Sequence, residues 1–198
     1  DYNMKDVELV ERLEDKMGLI TLALTVAYRG GVNYRDALGT TMIWDTIIYR
    51  ILNQNKIVCP PKEEKSKSDF VGGYVKEPQV GSHEWVVSFD LNSLYPNIIV
   101  QNNMSPEMVV DGLVNTSVEH ILRKQTDIDT KYATAPNGVR FKKDRQGIMP
   151  FVVQKYYEER VDIKKEMLKL KQEYESTPTK TLSNKISHLD NQQMSIKI

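Results

Sequence analysis

The sequence predicts an α+β fold in which helices at both ends flank a central segment of strand and turns. Apolar residues recur at helical spacing near the beginning and the end of the chain. Residues 85–90 instead alternate, with Trp85, Val87 and Phe89 on one side, which is typical of a strand. A stretch rich in proline, glycine and charged residues, 57–83, separates the first helices from this central segment.

The chain divides into four predicted regions. They are a helical region at 1–56, an exposed linker at 57–83, a mixed segment containing the strand at 84–150, and a helical hairpin at 151–198. Within the last region, a turn at Ser176–Thr179 separates two helical patterns, which predicts an antiparallel pair of helices.

Both ends of the sequence lie inside or next to helical patterns. The chain begins with Asp1 rather than methionine, and its last residues include no Gly, Asn or Pro that would stop a helix. We therefore expect the sequence to be an internal segment of a longer polypeptide.

Composition excludes several classes of protein. The 27 Lys and Arg residues balance the 27 Asp and Glu residues, which excludes a polybasic membrane binder and an acidic disordered segment. The single cysteine, Cys59, excludes an internal disulfide and a cysteine-based zinc site. No apolar run approaches the roughly 18 residues of a membrane span. We therefore expect no membrane partner and a reducing, cytoplasmic environment.

Positive charge is concentrated in one part of this neutral chain. Residues 140–171 hold ten basic and five acidic side chains. Such a stretch is either a solvated helix face or a site that binds phosphate groups, and the charges alone leave both interpretations open.

The segment 88–99 has the most informative local chemistry. Asp90 closes the predicted strand, which we expect to be buried, and a helix start follows within a few residues. A carboxylate beside the free N–H groups of a helix start suits a divalent cation that carries a phosphate. Alternatively, the Asp90 side chain caps the helix. Tyr95 follows closely enough to line the same pocket.

This segment resembles the first palm motif of the family B DNA polymerases, Asp-Phe/Leu-x-Ser-Leu-Tyr-Pro-Ser-Ile-Ile. The one departure is Asn97, where serine is usual. Two further stretches look like family motifs and follow in the family's order. They are the aromatic-x-Gly-Gly linker at 70–73 and the Gly-Ile/Val-x-Pro segment at 147–150. The details look most like the replicative polymerases of T-even-like bacteriophages, and the similarity extends over essentially the whole chain.

The resemblance implies roles for the palm residues. Asp90 would bind both catalytic Mg²⁺ ions, for which Mn²⁺ can substitute, and the backbone carbonyl of Leu91 would help to hold the nucleotide-bound metal. Tyr95 would pack under the sugar and block a 2′-hydroxyl.

The resemblance also implies a binding site for the triphosphate of a deoxynucleotide. Backbone N–H groups near the helix start would meet the phosphates, and three basic side chains of the fingers would complete the site. The N–H groups belong to Asn92, Ser93 and Leu94, and the basic residues are Arg160, Lys164 and Lys197. Since Arg160 and Lys164 are four residues apart, they share one helix face.

Two further sites follow from the same resemblance. Tyr2 and Asp6 match the Tyr-x-x-x-Asp motif of the proofreading exonuclease, in which Asp6 would bind metal and Tyr2 would place the attacking water. Gly72 and Gly73 of the linker would contact DNA. The other exonuclease carboxylates are not in this sequence.

The segment Asp127–Asp129 has the composition of the second palm carboxylate motif but precedes the predicted fingers and has polar neighbours. We predict that it is a polar loop. The second palm aspartate would then lie outside this sequence, and the segment alone is expected to be inactive.

The implied function is that of a fragment of a DNA-directed DNA polymerase with 3′→5′ proofreading, which adds deoxynucleotides to a primer 3′-hydroxyl. Its partners would be primer–template DNA, deoxynucleoside triphosphates and a sliding clamp bound through a region not present here. It would work in the cytoplasm of an infected bacterial host. A non-catalytic nucleic-acid-binding helical module and one subunit of a split polymerase are the alternatives.

Overall fold

The computed structural model describes residues 2–59, 61, 72–125 and 129–197. The helices are α1 (Tyr2–Met17), α2 (Leu19–Gly30), α3 (Thr40–Gln54), α4 (Leu94–Gln101), α5 (Val118–Leu122), α6 (Ile148–Ser176) and α7 (Lys180–Ser195). The strands are β1 (Val109–Val110), β2 (Tyr132–Thr134) and β3 (Arg140–Lys142). The predicted α+β class is confirmed. None of the helices in these ranges has the length and apolar character needed to cross a membrane.

The two long helices α6 and α7 pack against each other and form the centre of the molecule. Met167 of α6 and Leu189 of α7 are buried. At the start of α7, the hydroxyl of Thr179 accepts a hydrogen bond from the Leu182 N–H at 3.2 Å. This cap satisfies one of the free donors of a helix N-terminus and ends the turn between the helices.

The N-terminal helices pack on this centre, as α2 contacts both α7 and α3. A Cβ atom added to Gly30 of α2 would lie 3.1 Å from the Ile43 side chain of α3, so glycine permits the close contact of these helices. An ion pair between Arg29 of α2 and Glu159 joins α2 to α6. The helix α1 buries none of its residues.

A small antiparallel sheet lies beside the helices, with strand order β1–β3–β2. Phe141 of β3 pairs with Val109 on one side and with Ala133 on the other. Phe141 and Ala133 form a core with Met108, which precedes β1. The turn between β2 and β3 passes through Gly138, whose φ of 86° is a conformation that favours glycine.

The strand predicted at 85–90 is wrong, and so is its predicted burial. These residues form no strand, and the side chains of Trp85 and Phe89 are 94% and 91% exposed. Trp85 has a φ of 57°, in the left-handed region, which is incompatible with an extended strand at that residue. A strand also needs a hydrogen-bonded neighbour, and no segment in the described ranges pairs with this one.

The loop after α4 holds the start of α6 through a buried asparagine. The Asn103 side-chain amide donates to the backbone carbonyls of Lys142 and Arg145, at 2.7 and 2.8 Å. Its oxygen accepts from the Gly147 N–H at 2.8 Å. One side chain thereby joins the end of α4, the end of β3 and the residue before α6.

Two neighbours of Asn103 bind the first turn of α6. Glu107 accepts a hydrogen bond from the Ile148 N–H at 2.6 Å, and the Ser105 hydroxyl accepts from the Met149 N–H at 3.2 Å. The Ser105 hydroxyl in turn donates to the Glu107 carboxylate at 2.7 Å. These contacts satisfy N–H groups that have no partner within the helix.

Partial burial raises the pKa of Glu107, but the hydrogen bonds from Ile148 and Ser105 outweigh it and hold the pKa below its usual 4.5. A carboxyl with a lowered folded-state pKa stabilises the fold above its unfolded-state pKa, and this contribution is lost as the pH falls through the folded-state value. The stabilisation from Glu107 is therefore present at neutral pH and declines below 4.5.

We predict that Glu107→Gln lowers the free energy of unfolding at pH 7 and that its difference from the wild type shrinks at pH 3. Urea denaturation of both proteins at the two pH values measures this difference. Glu77→Gln, at an exposed carboxylate of the linker, is the control. A difference between wild type and Glu107→Gln that does not change with pH would contradict the assignment.

Candidate functional site

A cavity of about 370 Å³ lies where α2, α3, α4, α6 and α7 meet. Four of the residues singled out from the sequence line it, although they are far apart along the chain. These residues are Ser93, Tyr95, Arg160 and Lys197. The fold thus brings the start of α4 and two of the three predicted basic residues to one place.

The N-terminus of α4 reaches this cavity, which Ser93, Tyr95 and Pro96 line. Ser93 precedes the helix with φ 53° and ψ 44°, a left-handed conformation that serine adopts at a cost. No side chain caps this helix end, so the alternative in which Asp90 is the cap is wrong. The first N–H groups of α4 and the positive end of its dipole are therefore available to an anion.

Arg160 of α6 brings a positive charge that is not neutralised by the neighbouring acid. The neighbouring Glu159 carboxylate pairs with Arg29 across the cavity wall. The buried Nε of Arg160 has no hydrogen-bond acceptor among the described residues. Arg160 also lines the cavity, so its side chain adds a positive charge to the cavity wall. Lys197 is exposed at the rim.

The rest of the cavity wall is largely apolar and aromatic. Trp44 comes from α3, Pro96 from α4, and Tyr156 and Tyr157 from α6. Burial raises the pKa of the Tyr156 phenol above its usual 10, so this side chain is uncharged at neutral pH. The cavity therefore combines a positively charged wall with flat rings that suit an aromatic or sugar-bearing ligand.

Sequence reasoning missed the contribution of Trp44. The apolar stripe of α3 predicts a buried helix face, but nothing in its spacing tells which distant residues it contacts. The structure places it opposite side chains more than one hundred residues away along the chain.

Other predicted site residues lie outside the cavity wall. Lys164 is exposed one helical turn beyond Arg160, and Asp90 and Leu91 are exposed on the irregular segment that leads into α4. Asn92 and Leu94, on either side of Ser93, are also exposed. Thus Asp90 is close to the cavity along the chain but does not line it.

The residues assigned to the exonuclease and to the linker are also separate from the cavity. Tyr2 and Asp6 are exposed on α1. Gly72 and Gly73 are exposed, and a Cβ atom at either position would meet nothing within 4 Å. Of the predicted polar loop Asp127–Asp129, only Asp129 lies in the described part, where it is irregular and its carboxylate accepts from the Lys131 N–H at 2.9 Å.

The described residues do not form a complete metal site. Across residues 2–59, 61, 72–125 and 129–197, no three His, Cys, Asp or Glu side chains lie close enough together to hold a metal ion. Asp90 offers one carboxylate, whereas Mg²⁺ is usually bound through one or two carboxylates together with water and substrate phosphates. Any metal bound here would therefore need ligands besides those of this part of the chain.

A cavity with basic side chains at a helix N-terminus and aromatic rings in its wall has the chemistry that suits a phosphate-bearing ligand. Comparison with known proteins then gives the family. The sequence model described as DNA polymerase family B matches residues 39–198. The chain belongs to the family B DNA polymerases.

Two phage proteins named DNA-directed DNA polymerase are similar over 84% of this chain. The protein of Enterobacteria phage T4 is 34% identical over 167 residues. The protein of Escherichia phage RB69 is 31% identical over 171 residues. A DNA polymerase of Pyrococcus horikoshii is 32% identical over 165 residues, or 77% of the chain. The matched regions span only 19% of each phage relative and 12% of the archaeal one.

From the lining of the cavity we predict that Arg160 contributes more to anion binding than Lys164 does. Arg160→Ala should weaken the binding of inorganic tripolyphosphate by roughly 10- to 150-fold, the equivalent of about 1.5–3 kcal/mol for a charged hydrogen bond. Lys164→Ala should have a smaller effect because Lys164 lies outside the cavity wall. Titration followed by Trp44 fluorescence, in a Trp85→Phe background, measures both.

Lys169→Ala, an exposed base farther along α6, is the matched control. Equal losses of affinity for Arg160→Ala and Lys169→Ala would show that the anion binds by general charge attraction rather than in the cavity.

Proposed function

We propose that this chain is the part of a DNA-directed DNA polymerase that binds the incoming deoxynucleoside triphosphate and supplies one metal-binding carboxylate. The observation that carries the proposal is a cavity whose wall brings together two basic side chains, Arg160 and Lys197, with Ser93 and Tyr95 at the start of α4. The family match across residues 39–198 supports the choice of ligand.

The triphosphate would lie between α4 and the α6–α7 pair. Arg160 would grip it with its planar guanidinium, and Lys197 would add a point charge from the end of α7. Lys164 would reach the outer phosphates from the next turn of α6. Backbone N–H groups would bind it from the opposite side, contributed by Asn92, Ser93 and Leu94.

The sugar of the nucleotide would lie against Tyr95. The ring of Tyr95 lines the cavity near its charged wall and stays 77% exposed, so it is free to contact a ligand. A ring packed under the ribose leaves no room for a 2′-hydroxyl. Tyr95 would thereby select deoxyribonucleotides.

Asp90 and the carbonyl of Leu91 would be ligands of Mg²⁺ beside the triphosphate. Two Mg²⁺ ions would activate the primer 3′-hydroxyl and stabilise the charge on the α-phosphate during in-line displacement of pyrophosphate. The remaining ligands would come from outside the described residues. The contribution of this chain is to hold the phosphates and the sugar at the end of the segment that carries Asp90.

Primer–template DNA would contact the exposed basic face of α6 and the linker glycines Gly72 and Gly73. Tyr2 and Asp6 of α1 would belong to a proofreading exonuclease site completed by other carboxylates. A sliding clamp would bind elsewhere in the polymerase. The exposed lysines of α6 also favour a second candidate function, that of a nucleic-acid-binding module without catalysis.

Primer extension distinguishes these two functions when measured on the polypeptide encoded by the complete reading frame that contains this chain. Asp90→Ala should reduce extension by at least about a hundredfold, the scale of removing one group that stabilises a charged transition state. DNA affinity should remain. The control is Glu84→Ala, at an exposed carboxylate six residues before Asp90. Undiminished extension by Asp90→Ala would overturn the assignment, and DNA binding without any extension by the wild type would favour the module.

Tyr95→Ala should lower the preference for deoxynucleotides over ribonucleotides by roughly 10- to 200-fold, the range of discrimination that steric fit supplies. Tyr95→Phe should keep the preference, because the ring and not the hydroxyl occupies the space of a 2′-hydroxyl. The ratio of kcat/KM for dTTP and the corresponding ribonucleotide measures both. Loss of the preference in Tyr95→Phe would argue against a steric gate.

A further inference from the structure

We propose that Asn103, Ser105 and Glu107 are positioning residues that determine where Arg160 meets a bound triphosphate. They do so by fixing the start of α6 to the loop that follows α4. The consequence for the nucleotide rests on the function proposed above, whereas the mechanical coupling of the two helices does not.

Two of the three side chains of the junction are buried, whereas Glu107 is exposed. Asn103 and Ser105 are 8% and 3% exposed. The Asn103 amide makes three hydrogen bonds to backbone groups some 40 residues away, so both ends of the amide are occupied. Asn103 also has a left-handed φ of 52°, a conformation that asparagine tolerates better than most residues.

Close packing leaves the junction little freedom to shift. A Cβ atom on Gly147 would lie 2.6 Å from the Ser105 Cβ and 3.0 Å from the Met108 side chain. The φ of Gly147 is −74°, which any residue can adopt, so space and not backbone conformation requires glycine here. The two chain segments are therefore in van der Waals contact as well as hydrogen-bonded.

The junction connects the two sides of the nucleotide site. Asn103 follows the last residue of α4, the helix whose first turn contributes Ser93 and Tyr95 to the cavity. Arg160 is twelve residues beyond Ile148, which is about 18 Å along a helix axis. A tilt of roughly 5° at the start of α6 would move Arg160 by about 1.6 Å. Displacements of this size in a positioned group can cost about a hundredfold in rate.

A purely structural role for these residues makes a different prediction. If the network only stabilised the fold, its loss would lower the free energy of unfolding and leave the geometry of the folded protein unchanged. If the network positions α6, its loss changes the distance between α4 and α6 in molecules that are still folded.

Dipolar electron paramagnetic resonance on the 198-residue chain tests whether the junction fixes the position of α6 relative to α4. Nitroxide labels at Gln101→Cys of α4 and Lys169→Cys of α6, in a Cys59→Ser background, report the separation of the helices. We expect Asn103→Ala to shift or broaden the distance distribution while circular dichroism shows retained helix content. Asn102→Ala is the matched control, because the Asn102 amide bonds only to the Ile98 carbonyl within its own helix.

An unchanged distribution in Asn103→Ala would overturn the proposal. If Asn103→Ala fails to fold, Glu107→Gln and Gly147→Ala serve in its place. The first replaces the charged acceptor by an amide of similar shape, and the second pushes Ser105 away. Distances equal to the wild-type distance in both of these variants would equally overturn it.

Titration of the same variants with dTTP and Mg²⁺ tests the consequence for the nucleotide. Asn103→Ala should weaken binding by about tenfold, whereas in an Arg160→Ala background it should cause no further loss, because it acts through Arg160. Independent, additive losses would overturn the link to Arg160. A wild-type chain that binds no dTTP would refute the proposed function, while the distance measurement would still decide the positioning role.

Discussion

The hydrogen bonds of Asn103 are the constraint on which the rest of the site depends. They hold the end of α4 to the start of α6, and the cavity lies between these two helices and their neighbours. Because the partners are backbone groups, they remain in the same place whatever side chains surround them. Glu107 and Ser105 extend the junction by one turn into α6. The direction of a 29-residue helix is thereby set at its first turn.

Two arginines, Arg29 and Arg160, line the cavity, and only Arg29 has an ion pair among the described residues. Glu159 and Arg160 are adjacent on α6, yet the carboxylate pairs with Arg29 of α2. This ion pair is partly exposed and contributes little to stability by itself. The Nε of Arg160 has no hydrogen-bond partner in the described part of the chain.

The segment around Asp90 has the sequence pattern of a strand but no strand neighbour among the described residues. Its alternating pattern is that of a strand, but in this structure it is irregular, exposed and paired with no described segment. A strand is stabilised by its neighbours and not by its own sequence. The chain spans about a fifth of the length of its phage relatives, which are 19% covered.

The sequence by itself determined the family, through the motif at 88–99, and the helices, through their apolar spacing. It also identified Arg160, because a basic residue in a matched motif is recognisable without coordinates. Only the tertiary structure decided that Trp44 lines the same cavity and that Asn103 fixes α6. The physical reason is that spacing encodes local conformation, whereas these contacts join residues that are 39 or more positions apart. Which distant groups meet is settled only when the helices pack.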